Sequence, residues 1–268
     1  MKKNVLFLAF LGLFACKEAP KETKSESQPQ ELSMKKMEKK FPAELQKVFN
    51  AHGSLETWRS YRTLAYEMPK DENSETHTVD LYNRKDRIDT PAYSMGFDGK
   101  QVWSLDPDEV YGGDPVFYHN LMFYFYAMPF VLADDGIVYG ETEDLVFEGK
   151  NYPGIAISYE TGIGTSPKDE YYIHYDPDTN QMAWLGYTVT YRTGEKSENV
   201  KWIRYNNWNT VGEVSLPASI TWYNYEGREI KDARSPVPFE NASLEKNARP
   251  DAFYAMPEGA RVRERGTK

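Results

Sequence analysis

The residues of this sequence that could do chemistry are few. Cys16 is the only cysteine among 268 residues, so it closes no internal disulfide and stays free for modification. Asp176, Asp178 and Asn180, in DPDTNQ, imitate the opening of a calcium loop. That loop needs glycine where Gln181 stands and a bidentate glutamate where Tyr187 stands, so a hairpin turn is the better reading. His52, His77, His119 and His174 show no metal-ligand spacing. GIGTSP, residues 162–167, lacks the lysine and spacing of a phosphate loop, and no G-x-S-x-G elbow precedes a helix. No catalytic residue, metal or cofactor is expected, and the protein is read as a non-enzyme.

The surroundings of Cys16 give it a use. Lys2 and Lys3 precede an apolar run from Val5 to Phe14, then comes the small Ala15, and after Cys16 the composition turns polar. That is the order of a secretory signal peptide. The run is about half of the ~20 residues that a membrane-spanning helix needs. Leu13-Phe14-Ala15-Cys16 resembles a bacterial lipobox, although Phe14 stands where a small or branched residue is usual. The resemblance implies that Cys16 becomes the lipidated first residue of the mature chain, held by three acyl chains where one alone would bind only marginally. An ordinary signal peptide with an incidental cysteine is the alternative. Lys17-Glu18 resembles the surface-export signal of some Bacteroidota lipoproteins, and a periplasmic orientation stays open beside it. The expected location is the bacterial cell envelope, anchored to the outer membrane.

Loss of residues 1–15 removes two lysines and takes the net charge from −9 to −11. Nucleic acid is thereby a poor partner, because its phosphates reward clustered Lys and Arg. Residues 17–40 are Lys, Glu, Ser, Gln and Pro with little that is apolar, a composition unable to offset its own ordering entropy. The expected organisation is therefore a signal peptide (1–15), a lipidated tether (16–40), one folded domain (41–260) and a basic tail (261–268).

Within 41–61, Leu45, Val48 and Phe49 recur at helical spacing until His52-Gly53 stops the run, and Ser54 is placed to cap a second short turn. His52 is read as a capping or packing residue. From Arg62 the period becomes two, through RTLAYEM, THTVDLYN, RKDRIDT and AYSMGF, and Asp98-Gly99 predicts a tight hairpin. PVFYHNLMFYFYAMPFVL, residues 115–132, is apolar on nearly every side; as a helix it is buried all round, with Pro115 in a first turn and Pro129 at a kink or end. Long aromatic strands resume at Leu145. In 181–191 the alternation puts Ala183, Leu185 and Tyr187 on one face and Met182 and Trp184 on the other. Both faces carry bulk, which suits a curved sheet with one face on a core and the other partly covered.

The order of these pieces resembles the lipoprotein-carrier fold (LolA/LolB-like). FDGKQVW has a counterpart there, and NASLEKNARPDAFYAMPEGARV, with its run from Phe253 to Pro257, resembles that family's closing segment. FNAHGSLETW and AMPFVLADDG resemble an uncharacterised group of Bacteroidota outer-membrane lipoproteins. The resemblance implies an α+β, mainly β architecture: a curved antiparallel sheet forming an incomplete barrel, with an N-terminal helix and a central helical plug. The expected function is binding of a lipid or other apolar ligand in a cavity beside the plug. Its candidate lining is Phe117, Leu121, Met122, Phe125 and Met128 from the plug, with Trp103 and Trp184 from the strands. Two other readings stand beside it. In one the run is plain core; in the other the protein is a structural module whose exposed aromatics meet an envelope partner or glycan. The identity of any protein partner is not readable.

Overall fold

The structure is a computed structural model and describes residues 41–160, 168–191, 193–197 and 199–265. Cys16, the signal peptide and the tether lie outside the described residues, as does GIGTSP.

Helix α1 (Ala43–Ala51) buries Leu45, Val48 and Phe49 on one side. It stops at Gly53, whose positive φ of 100° and position 2.4 Å from the Glu213 carbonyl oxygen, measured to a built Cβ, leave room for glycine alone. Ser54 then caps α2 (Leu55–Arg59), accepting from the Thr57 N–H at 3.2 Å. The strands β1 (Thr63–Met68), β2 (Glu75–Asp80), β3 (Asp86–Asp89), β4 (Ser94–Phe97) and β5 (Val102–Leu105) follow as an antiparallel meander. Asp98-Gly99 makes the expected turn between β4 and β5, with the Asp98 carboxylate accepting from the N–H groups of Lys100 and Gln101.

The greasy run is three pieces rather than one helix: α3 (Pro115–Tyr118), α4 (Leu121–Tyr126) and a 3-10 turn at Phe130–Ala133. Asp114 caps α3 and Pro115 occupies its first turn. Asn120 and Pro129 stand at the breaks, a polar residue that competes for backbone and a residue without an N–H.

The chain continues through β6 (Ile137–Glu141), β7 (Leu145–Phe147), β8 (Lys150–Tyr152), β9 (Gly154–Tyr159), β10 (Tyr171–Tyr175), β11 (Met182–Tyr187), β12 (Lys201–Val211), β13 (Val214–Glu226), β14 (Glu229–Ala233), β15 (Val237–Pro238) and β16 (Glu240–Glu245). It ends in α5 (Asp251–Tyr254) and β17 (Arg261–Arg263). The architecture is α+β and mainly antiparallel β as expected, with the strands in two large open sheets and the small β7–β8 pair rather than in one curved sheet. The first runs β16-β1-β2-β3-β4-β5-β17 and the second β14-β13-β12-β11-β10-β9-β6. Neither closes into a barrel. One segment laces them together, since β15 pairs with β13 while β16, starting two residues later, pairs with β1. Pairing runs past residue 260, because β17 lies on β5.

The central segment sits between the sheets. Tyr126 lies 4.3 Å, ring to ring, from Tyr66 of β1, whereas its neighbour Phe125 lies 5.3 Å from Tyr187 of β11 and 5.5 Å from Trp222 of β13. Phe130 stacks on Trp58 at 4.7 Å, which brings α2 into the same core. The opposite face of the second sheet is covered too, as the β7–β8 hairpin lays Leu145, Phe147 and Tyr152 against Trp184 and Trp202. The simple alternation expected in β11 fails in one respect. Met182 joins Leu185 and Tyr187 in the main core and Ala183 joins Trp184 outside, because a bulge opposite His174–Tyr175 inserts one residue and flips the phase. No described helix is long and apolar enough to cross a membrane.

Candidate functional site

The residues expected to line one cavity divide into four places. Met122, Phe125 and Met128 are buried in the core between the sheets, with half-buried Leu121 packed against it. Phe117, also half-buried, meets the ring of Tyr191 at 4.8 Å on the α3 side. Trp184 is on the far face of the second sheet, against Tyr223 at 5.0 Å and under the guanidinium of Arg204 at 4.8 Å. Trp103 is on the outer face of the first sheet, where it pairs with Gly96 and donates its indole N–H to the Tyr254 carbonyl at 3.0 Å. Strand parity places both tryptophans away from the central segment, so they cannot share a cavity with it.

His52, His174 and the DPDTNQ segment hold the fold together. His52 ends α1, donates Nδ1–H to the Val48 carbonyl at 2.8 Å and packs on Trp208 at 4.5 Å. His174 donates to the Tyr152 carbonyl at 3.1 Å. Burial holds both imidazoles down at about 4, with the carbonyl bond offsetting part of the effect. DPDTNQ is the β10–β11 turn; Asp176 accepts from the N–H groups of Asp178 and Thr179, and the cation it holds is the Lys150 ammonium, 2.7 Å from Asp176 and 3.0 Å from Asp178. Among the described residues no group of His, Cys, Asp and Glu is arranged to hold a metal ion.

A different constellation appears on the inner face of the first sheet. Register aligns Met68 with Glu75, Tyr66 with His77 and Ile88, and Val79 with Asp86, so three polar side chains enter positions that strand parity gives to the interior. Glu75, His77 and Asp86 are each about 1% exposed. Helix α3 closes over them. Tyr118 donates its hydroxyl to Glu75 Oε2 at 2.7 Å, His77 Nε2–H reaches the same oxygen at 3.1 Å, and His119 Nδ1–H reaches Asp86 Oδ2 at 2.6 Å. Lys70 pairs with Glu75 Oε1 from the solvent side.

The electrostatics follow from these contacts. Burial works to raise the Glu75 carboxyl, but the bonds from His77, Lys70 and Tyr118 outweigh it and hold the group at about 2. Asp86 is moved the other way, since burial raises it and His119 only partly compensates. Tyr93 and Tyr111 line the same place, their rings 5.0 Å apart, and Tyr111 continues to Tyr118 at 6.0 Å. Burial, and behind it the Glu75 charge, pushes Tyr93 up to about 12. One buried atom, Tyr66 Oη, has no hydrogen-bond partner, whereas the Asp86 carboxylate is held by His119 and by the Phe97 backbone. The arrangement is an anionic carboxylate with oriented imidazoles, walled by phenols and open toward Lys70. It suits recognition of a hydrogen-bonding or cationic group. From the sequence His77 and His119 stand out only as two histidines without ligand spacing. The available signal was Glu75 and His77 in phase with Val79, polar residues on the apolar beat of a strand.

Residues 35–231 match the model of DUF6503, described as a family of unknown function. The chain belongs to this family. No curated protein matches this family member in sequence. Among solved structures, this DUF6503 chain is similar to a LolA superfamily protein from Nitrosomonas europaea, at 9% identity and a TM-score of 0.46, over 79% of this chain and 97% of that one. It is also similar to a DUF1329 family protein from Desulfovibrio piger, at 11% identity and a TM-score of 0.49, over 80% and 96%. A third similar structure is a putative outer membrane lipoprotein-sorting protein domain from Vibrio parahaemolyticus, at 6% identity and a TM-score of 0.43, over 76% and 96%. The architecture given above rests on the strand pairings of the DUF6503 chain itself.

Proposed function

We propose that this DUF6503 protein is an envelope protein, anchored through a lipid on Cys16, that binds an apolar or amphipathic ligand between its two sheets without catalysing a reaction. One observation carries the reading: the side chains of the central segment grade from half-buried to fully enclosed within a single stretch. Phe117, Tyr118, Leu121 and Tyr124 are half-buried, whereas Met122, Phe125, Tyr126 and Met128 are fully enclosed. Short helical pieces joined at Asn120 and Pro129 re-pack more cheaply than one continuous helix, and methionine adapts its shape to what lies beside it. The sequence's resemblance to lipoprotein carriers points the same way.

The test is native mass spectrometry and solvent extraction of the full chain purified from its own envelope under mild conditions. A co-purifying apolar molecule is expected, with occupancy lowered by Leu121→Trp, which adds bulk at the half-buried end of the segment. A consistently empty protein overturns the reading.

A second reading, an interaction module, has one observation in its favour. On the outer face of the second sheet, half-buried Tyr172, Tyr223 and Tyr225 accompany Arg228, whose guanidinium lies 4.6 Å from the Tyr172 ring. A stoichiometric envelope partner lost on Tyr172→Ala would favour it.

A further inference from the structure

We propose that the tyrosine-walled carboxylate at Glu75 is a binding site for an organic ammonium group, a place taken in this structure by the chain's own Lys70. The geometry has a floor, walls and a mouth. Glu75 is the floor, about 1% exposed, with Oε2 already engaged by Tyr118 and His77 and Oε1 turned to Lys70. Tyr93, Tyr111 and Tyr118 form a continuous run of rings at 5.0 and 6.0 Å. The Lys70 ammonium lies 5.8 Å from the Tyr118 ring centroid, within cation–π range, while its side chain is 47% exposed. An ammonium carried on a solvent-exposed turn therefore reaches a buried anion beside an aromatic ring. A hydrated metal ion gains little from such walls, whereas an alkylated or primary ammonium is complementary to both rings and carboxylate.

Two features separate this from an ordinary surface ion pair. Lys70 belongs to the short β1–β2 connection, where its backbone is held by the Ser74 hydroxyl, so the side chain can swing out while the turn stays in place. Deeper in the cluster, Tyr66 Oη is buried and unpartnered, and its ring stacks on His77 at 4.7 Å. It offers a further hydrogen bond to a ligand that carries a hydroxyl or amide beside its ammonium. The inference names the polar end of the ligand. It rests on the proposed binding reading only for the apolar body.

The test uses the full chain carrying Cys16→Ser, so that no acyl anchor of its own reaches a vesicle. Titration calorimetry is run with tetramethylammonium and with ethanolamine, neither of which has an apolar body. Removing the internal competitor by Lys70→Met should tighten binding at least tenfold over the parent. Adding Tyr111→Leu, at a half-exposed ring, should undo at least fivefold of that gain, and sodium or potassium should not compete. Flotation with phosphatidylethanolamine vesicles against phosphatidylglycerol vesicles then separates the sources. Preference for the former assigns a lipid headgroup, and binding of the soluble amines alone assigns a free amine. A folded Lys70→Met protein that binds neither amine, or binds equally well with Tyr111→Leu, overturns the inference and leaves the apolar-ligand reading intact. Amine binding with no apolar molecule extracted defeats that reading alone.

Discussion

Acidification from pH 7 to pH 5 should destabilise this protein strongly, and two histidines far from the Glu75 cluster are the reason. His52 and His174 are essentially enclosed and held near 4 against an ordinary 6.5. In each case Nδ1–H is spent on a carbonyl. Protonating His52 would place a second N–H, at Nε2, among apolar neighbours where that atom has no partner. The folded pKa lies below the unfolded one, so between about 4 and 6.5 the unfolded chain binds more protons and stability falls as pH falls. Linkage over those values gives a loss of about 2 kcal/mol per histidine between pH 7 and 5, about 4 kcal/mol for the pair. Glu75 is ionised in both states across this window, and its contribution is lost only as pH falls from 4.5 through about 2. Asp86 has the opposite sign, because a raised carboxyl regains stability on acidification. Urea unfolding followed by tryptophan fluorescence is the assay. At a slope of ~2–3 kcal/mol/M, the midpoint should drop by roughly 1.3–2 M from pH 7 to 5. His52→Gln and His174→Gln, compared at the two pH values, should each remove about half of the drop whatever their effect at pH 7. A drop between pH 7 and 5 that is as large in both glutamine variants as in the parent refutes the burial argument.

Trp184→Ala should cost about 3–5 kcal/mol and loosen the β7–β8 hairpin that packs on it, read as faster proteolysis within residues 142–152. Gly53→Ala should cost about 1–3 kcal/mol, because its Cβ would meet the Glu213 carbonyl at 2.4 Å in a left-handed backbone; wild-type thermal stability in this variant would show the α1–α2 corner wrongly understood. Cys16→Ser should abolish acyl labelling and release the protein from the membrane fraction, and a variant that remains membrane-bound would defeat the anchor.

What the sequence by itself determined is local. Ser54 three residues before Thr57, Asp98-Gly99 between apolar residues, and Leu45, Val48 and Phe49 at helical spacing each act within a few residues of chain, so their helices and turns were legible. The breaks at Asn120 and Pro129 were half legible; Pro129 announced itself, while Asn120 was lost in a run of rings. Tertiary structure decided the rest. Division into two sheets depends on β15 and β16 choosing different partners, a long-range choice that no local pattern encodes. One inserted residue in β11 exchanged the faces of Met182 and Ala183. The Glu75 cluster gathers Lys70, Glu75, His77, Asp86, Tyr93, Tyr111, Tyr118 and His119 from five strands or loops and a helix with its end. Its members are ordinary one at a time. They become a site because strand register turns three polar side chains inward and α3 covers them, and burial then gives each hydrogen bond an importance it would lack in water.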